Sequence, residues 1–264
     1  MQSFFSKTDK EYITHLQRYV FEGRIEVVNS ERETLRAVEY LRKCKLLGID
    51  TETKPSFKRG VQHQVALLQV ATEDSLCFLF RLNFIGFPSS LKSILEDPAI
   101  HKVGLSLHDD FRMLSHRTEE FRPAGFTDIQ HIAVGMGIED LSLQKLYANI
   151  FGLRISKNAQ LTNWEAEVLD EKQRVYAATD ADACIHLYKT MSELHRSGNY
   201  RLVQCPAKEN QIKGCSINEL VMCSRLSYRR FLVFMRERNG LRNRMKTKKI
   251  WCERREGIQV KHEH

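Results

Sequence analysis

The chain has 264 residues, 42% of them hydrophobic and 28% charged, a make-up suited to a globular protein with a sizeable core. No apolar run approaches the roughly 18 residues that span a bilayer, and the opening MQSFFSKTDKEYITHL lacks the basic and apolar blocks of a secretory signal, so no membrane partner is expected. The formal charge of +8 is localised: residues 206–264 hold 15 Lys/Arg against 6 Asp/Glu, a balance of +9, whereas residues 1–205 hold 26 basic and 27 acidic residues.

In chain order, a helical extension is expected over 1–22, then a short strand at 24–28 (RIEVV). Residues 31–43 place Leu35, Val38 and Leu41 at helical spacing, which predicts an amphipathic helix. Three strands follow, at 46–52 (LLGIDTE), 65–71 (VALLQVA) and 76–80 (LCFLF), and the short polar link 72–75 (TEDS) suits a hairpin. A helix at 90–97 is stopped by Pro98, and the strand 102–107 runs into a helix that reaches Leu114. Helical patterns then cover 127–134, 141–152 and 170–198, the last two ending at Gly152 and Gly198. A three-strand antiparallel meander followed by alternating helices and strands describes an α/β fold, a mixed sheet flanked by helices. That domain is expected to fill 23–204, with a basic tail over 205–264 that includes one basic helix at 225–240. The seven cysteines are scattered and form no CxxC pair, which argues against a disulfide framework or zinc ribbon and for reduced thiols in the cytoplasm.

Three clusters carry chemistry. Asp50 and Glu52 sit at i and i+2 on an apolar strand, so they share one face while Ile49 and Thr51 take the other. Two such carboxylates repel unless a hard divalent cation lies between them; the bland alternative is the start of a solvated loop. In the helix after the fourth strand, Leu107, Phe111 and Leu114 form the apolar stripe. Asp110 falls beside it, about 60° from Leu107, and Asp109 falls about 200° away, which suits a solvated or capping role. In the long helix, Tyr176 and Asp180 stand at i and i+4 on a face that Ala183 and Leu187 continue inward, while Asp182 points away. An inward carboxylate there demands a partner or a metal, and a plain Tyr–Asp hydrogen bond is the alternative.

The order and setting of these residues are similar to the DEDD superfamily of 3′–5′ exonucleases, in the tyrosine-bearing branch that includes RNase D and the exonuclease domain of the Werner-syndrome helicase. The matching stretches are GIDTETKPSF (48–57), VALLQVA (65–71), VGLSLHDDFRML (103–114) and LTNWEAEVLDEKQRVYAATDADA (161–183). The resemblance implies an RNase H-like fold. It also implies that Asp50, Glu52, Asp110 and Asp180 bind two divalent ions, Mg²⁺ or Mn²⁺, and that Tyr176 orients or helps deprotonate the attacking water. The implied reaction removes nucleoside 5′-monophosphates from a single-stranded 3′ end of DNA or RNA. Lys54, Lys58 and Arg59 are candidates to grip phosphates and Phe57 to stack on a base, with a solvated loop and a packing role as their alternatives. Trp164 is expected to anchor the loop before the long helix. A catalytically silent nucleic-acid-binding module on the same fold is the rival reading. A zinc hydrolase finds no HxxxH or HExxH pattern.

Overall fold

The elements of the computed structural model begin with β1 (Gln2–Phe5), α1 (Lys10–Thr14), β2 (Gln17–Arg18), β3 (Arg24–Val28) and α2 (Glu31–Leu41). The central meander is β4 (Leu46–Thr53), β5 (Val65–Thr72) and β6 (Leu76–Arg81), followed by α3 (Leu82–Ile85) and α4 (Ser89–Glu96). Then come β7 (His101–Gly104), α5 (Leu107–Ser115), β8 (Phe126–Asp128), α6 (Ile129–Gly135), α7 (Leu143–Phe151), β9 (Leu153–Arg154), α8 (Glu171–Ser197) and β10 (Tyr200–Val203). The structure describes residues 1–58 and 60–205; Arg59, the basic tail and its expected helix lie outside the described residues. Among the described residues, no helix is long and apolar enough to cross a membrane. Their four cysteines, Cys44, Cys77, Cys184 and Cys205, are free thiols.

The main sheet has six strands in the order β3-β6-β5-β4-β7-β8. The meander is antiparallel as expected, and β3, β7 and β8 add to it in parallel. Because β4 and β5 pair antiparallel with Asp50 opposite Gln69 and Glu52 opposite Leu67, those four side chains share one face. The other face carries Leu47, Ile49, Leu68, Val70, Phe78 and Phe80 into a core closed by α2 and α4. On α2 the inward stripe is Thr34, Ala37, Val38 and Leu41, whereas Leu35 is 53% exposed. The apolar spacing located the helix, but a threonine and an alanine, rather than Leu35, fit the tight contact with the sheet.

The acidic face is covered by α8, which at about 1.5 Å per residue is some 40 Å long. It starts from a capping box in which Asp170 accepts from Gln173 N at 2.7 Å and Gln173 Oε1 accepts from Asp170 N at 3.1 Å. It stops at Gly198, whose φ of 62° is left-handed. The helix crosses β4 at Gly48, where an added Cβ would fall 2.0 Å from Ala181 O. Only a glycine allows that approach, and it sets the α8 residue next to Ala181, Asp180, over the acidic end of β4.

The first 22 residues, expected as a helical extension, carry one five-residue helix between two short strands. β1 pairs in parallel with β10 and β2 with β9. Phe5 N also donates to Asn149 Oδ1 at 2.8 Å. These pairings join the two ends of the described chain, and no local periodicity signals them.

Candidate active site

Asp50, Glu52 and Asp180 converge: one carboxylate oxygen from each lies within 4.8 Å of the others. Asp50 and Glu52 arrive by strand alternation, and Asp180 is brought down from α8 by the contact at Gly48. A β-bulge between Glu52 and Thr53 ends the regular ladder at this point, a common device for turning the chain away beside a site. Asp180 is 6% exposed, and its Oδ1 has no hydrogen-bond partner. Tyr176 stands one turn earlier and hydrogen-bonds the Asp180 carboxylate.

Asp110 lies beside this trio and outside it. Its Oδ1 accepts from the Thr51 hydroxyl, which ties α5 to the neighbour of both strand acids. Asp109 behaves as its angle requires: it faces solvent with a side chain 70% exposed and pairs with Arg112 at 3.1 Å. The start of α5 is fixed by Asp128, whose two oxygens accept from Ser106 N at 3.1 Å and Leu107 N at 2.9 Å. Ser106 takes a left-handed φ of 63° there. Gly104 allows the close passage, since a Cβ would come within 2.8 Å of Ile49 O.

Crowding four acids, Glu52 and Asp180 buried and Asp50 and Asp110 half-buried, disfavours their charged forms. Burial, then Asp50, Asp180 and Asp110, push the Glu52 carboxyl up to about 10. Burial raises Asp180 to about 7 against the Tyr176 hydrogen bond and Lys157, which pull the other way. Burial raises Asp110 to about 6, opposed by Thr51. Asp50 is displaced well upward by burial, then by Asp180 and Asp110. The Tyr176 phenol is pushed far above its ordinary value by burial, with Asp180 and Glu52 adding to it, so it keeps its proton. A cluster of this kind, with an unpartnered buried oxygen, is suited to hard divalent cations, which take oxygen ligands and relieve the repulsion.

Residues 25–195 match the 3′–5′ exonuclease family. The chain belongs to that family. Among relatives, it is 34% identical over 177 residues to the exonuclease 3′-5′ domain-containing protein 2 of Drosophila melanogaster, covering 64% of this chain and 30% of that protein. It is 31% identical over 156 residues to the bifunctional 3′-5′ exonuclease/ATP-dependent helicase WRN of Mus musculus, covering 56% of this chain and 11% of that protein. The fold is that of Escherichia coli RNase D, with a TM-score of 0.60 at 19% identity over 78% of this chain and 51% of RNase D. The chain thus spans about half or less of the length of each of these proteins.

Around the acidic cluster, the expected substrate contacts divide. Phe57 is 84% exposed and Lys58 is also on the surface. Lys54, by contrast, pairs with Glu165 at 3.1 Å, and the other Glu165 oxygen lies 3.0 Å from His63 Nδ1. That triad links the loop after β4 to the loop before α8, and sequence reasoning missed Glu165 and His63 because their partners are about a hundred residues away. Trp164 anchors the second loop as expected: it is fully buried, donates to Gln160 O at 3.3 Å, and its ring centroid lies 6.1 Å from that of Tyr176. Asp182 points away from the acids, yet it is 6% exposed and bound to Tyr19 and His186, so it is no innocent surface position.

Proposed function

We propose that this chain is a 3′–5′ exonuclease in which Asp50, Glu52, Asp110 and Asp180 hold two divalent ions, Mg²⁺ or Mn²⁺, and Tyr176 aims the attacking water. The observation that carries this reading is the convergence of Asp50, Glu52 and Asp180 within 4.8 Å, with Asp180 Oδ1 unpartnered. Burying mutually repelling carboxylates costs stability, and a fold meant only to bind nucleic acid gains nothing from it. Bound ions would supply positive charge to offset the anionic phosphate and to strengthen water as a nucleophile.

The chain's own residues then divide the work. Asp50 and Glu52, on a rigid strand, and Asp180, on a packed helix, fix the ligand oxygens. Asp110, held beside them by Thr51, would complete the set. Tyr176 stays protonated, so its hydroxyl directs the nucleophile by hydrogen bonding and does not act as the base. Attack at the terminal phosphorus breaks its bond to the 3′ oxygen, which leaves as a new 3′ hydroxyl, and a nucleoside 5′-monophosphate departs. Phe57 and Lys58, both exposed on the loop after β4, would meet a single-stranded 3′ end by stacking and by phosphate contact.

Matched DNA and RNA strands, single and duplex, labelled at the 5′ end and incubated with Mn²⁺, test this reading. A ladder that shortens from the 3′ end with release of 5′-monophosphates is expected for single strands. Tight binding without any shortening would leave the silent binding module as the answer.

A further inference from the structure

A flank of α8 adjoining the acidic face carries a second polar cluster that the hydrolytic site does not use. Thr179, Asp182 and His186 lie along one helical face, centred about 100° round the helix from Tyr176 and Asp180, with Thr179 about 60° from Tyr176 and Asp182 about 200° from Asp180. The chain from β2 to β3 crosses this face. Phe21 N donates to Thr179 Oγ1 at 3.0 Å, and the Tyr19 hydroxyl donates to Asp182 Oδ2. His186 Nε2 lies 3.5 Å from the same oxygen, and its Nδ1 lies 3.1 Å from the Tyr147 hydroxyl. The Tyr19 and Tyr147 rings stack at 4.9 Å.

The crossing segment is itself locked. Tyr19 N donates to Arg154 O at 2.9 Å, Phe21 is 5% exposed, and a Cβ on Gly23 would fall 2.2 Å from Ser75 O. It therefore grips α8 at two successive turns from a fixed base. The two gripped residues closely flank the acid: Thr179 precedes Asp180, and Asp182 follows it by two. A rigid helix held along one flank by two hydrogen bonds cannot rotate or slide there without moving its other faces by a comparable distance. All of this segment lies before residue 25, where the family match begins.

We propose that residues 17–23 form a brace that sets the rotation and register of α8, with Tyr19 as a positioning residue acting through Asp182 on Tyr176 and Asp180. The proposal rests on the exonuclease reading of those two residues. Removing the brace keeps every acidic residue and the tyrosine in the chain but lets Tyr176 and Asp180 drift from working geometry. A displacement on the order of 1 Å costs about a hundredfold in rate, and loss of outer supporting contacts costs about tenfold or more in metal affinity.

The test uses the full chain in a Trp251→Phe background. Trp164 is then the only tryptophan, and it packs on Tyr176, so its emission reports both Mn²⁺ binding and the setting of that ring. Tyr19→Phe, Thr179→Val and Asp182→Leu are compared with Asp182→Asn, whose carbonyl still accepts from Tyr19. Expected for the first three are a Mn²⁺ midpoint raised about tenfold, slower single-turnover release from single-stranded DNA and RNA, and unchanged substrate affinity. Asp182→Asn should stay near wild type. If the contacts only stabilise the fold, the first three variants melt earlier yet, well below their Tm, keep the wild-type midpoint and rate, and the proposal is overturned. Should Tyr19→Phe fail to fold, Thr179→Val decides by the same readouts. A wild-type chain that binds no Mn²⁺ and releases no nucleotide would instead overturn the exonuclease reading, which is a different result.

Discussion

Asp180 and Asp182 sit two residues apart on α8, and each is 6% exposed, yet they live in opposite surroundings. Asp182 Oδ2 accepts from Tyr19 and lies near His186, so the helix gains a strut there. Asp180 is hydrogen-bonded by Tyr176 but keeps Oδ1 unpartnered, beside two more carboxylates. Burial alone therefore does not distinguish a structural acid from a functional one. What distinguishes them is their company: Asp180 is crowded by other carboxylates and Asp182 is not, and ionised carboxylates packed together in a dry site are costly. The Asp182 side of α8 is complete without a ligand, and the Asp180 side is not.

The largest expected effect breaks the Asp180 side outright. Asp50→Ala, Glu52→Ala, Asp110→Ala and Asp180→Ala should each reduce nucleotide release to background while circular dichroism shows a folded chain. Tyr176→Phe comes next, with turnover down by about 10²–10⁴-fold, the usual worth of a positioned acid–base group. Mn²⁺ and substrate affinities should change little in that variant, and wild-type turnover would reduce the Tyr–Asp pair to a packing contact.

Stability should separate the two acids by sign. Without metal, Asp180→Asn relieves repulsion and should raise the Tm, whereas Asp182→Ala removes the carboxylate that accepts from Tyr19 and should lower the Tm, at a cost of about 1–3 kcal/mol. Equal signs in thermal melts would erase the contrast. The pH dependence follows from the same crowding. Asp110, Asp180 and Glu52 are raised to about 6, 7 and 10, above ordinary carboxylates near 4. A raised folded-state pKa means that stability is full below the unfolded value and is lost as pH climbs through the folded one. Metal-free Tm should thus fall steadily as pH rises from about 4 towards 10, and saturating Mn²⁺ should flatten the decline. A flat metal-free curve would show that the acids are not crowded in solution.

The smallest effect belongs to Asp109. Its side chain is exposed and meets only surface partners of its own helix, Arg112 at 3.1 Å and His108 at 3.8 Å, so Asp109→Ala should change stability by within about 0.5 kcal/mol and leave turnover near wild type. A dead Asp109→Ala beside an active Asp110→Ala would reverse the assignment of the two.

Local periodicity made much of this site legible in advance. Strand alternation put Asp50 and Glu52 on one face, the 100° step of a helix separated Asp110 from Asp109, and the i, i+4 spacing placed Tyr176 beside Asp180. The meander, the long helix and its stop at Gly198 were legible for the same reason: each depends on residues close together in the chain. Tertiary structure alone decided which distant groups meet. It set β3 parallel to β6, turned Leu35 outward, and bound Lys54 to Glu165 across 111 residues. It also gave Asp182 its partner in Tyr19, 163 residues away, and so made a buried strut of a residue that helical angle says only points away from the acids. A helical angle names the side on which a residue lies, but what covers that side depends on long-range pairings, such as β2 with β9, that no short window of sequence contains.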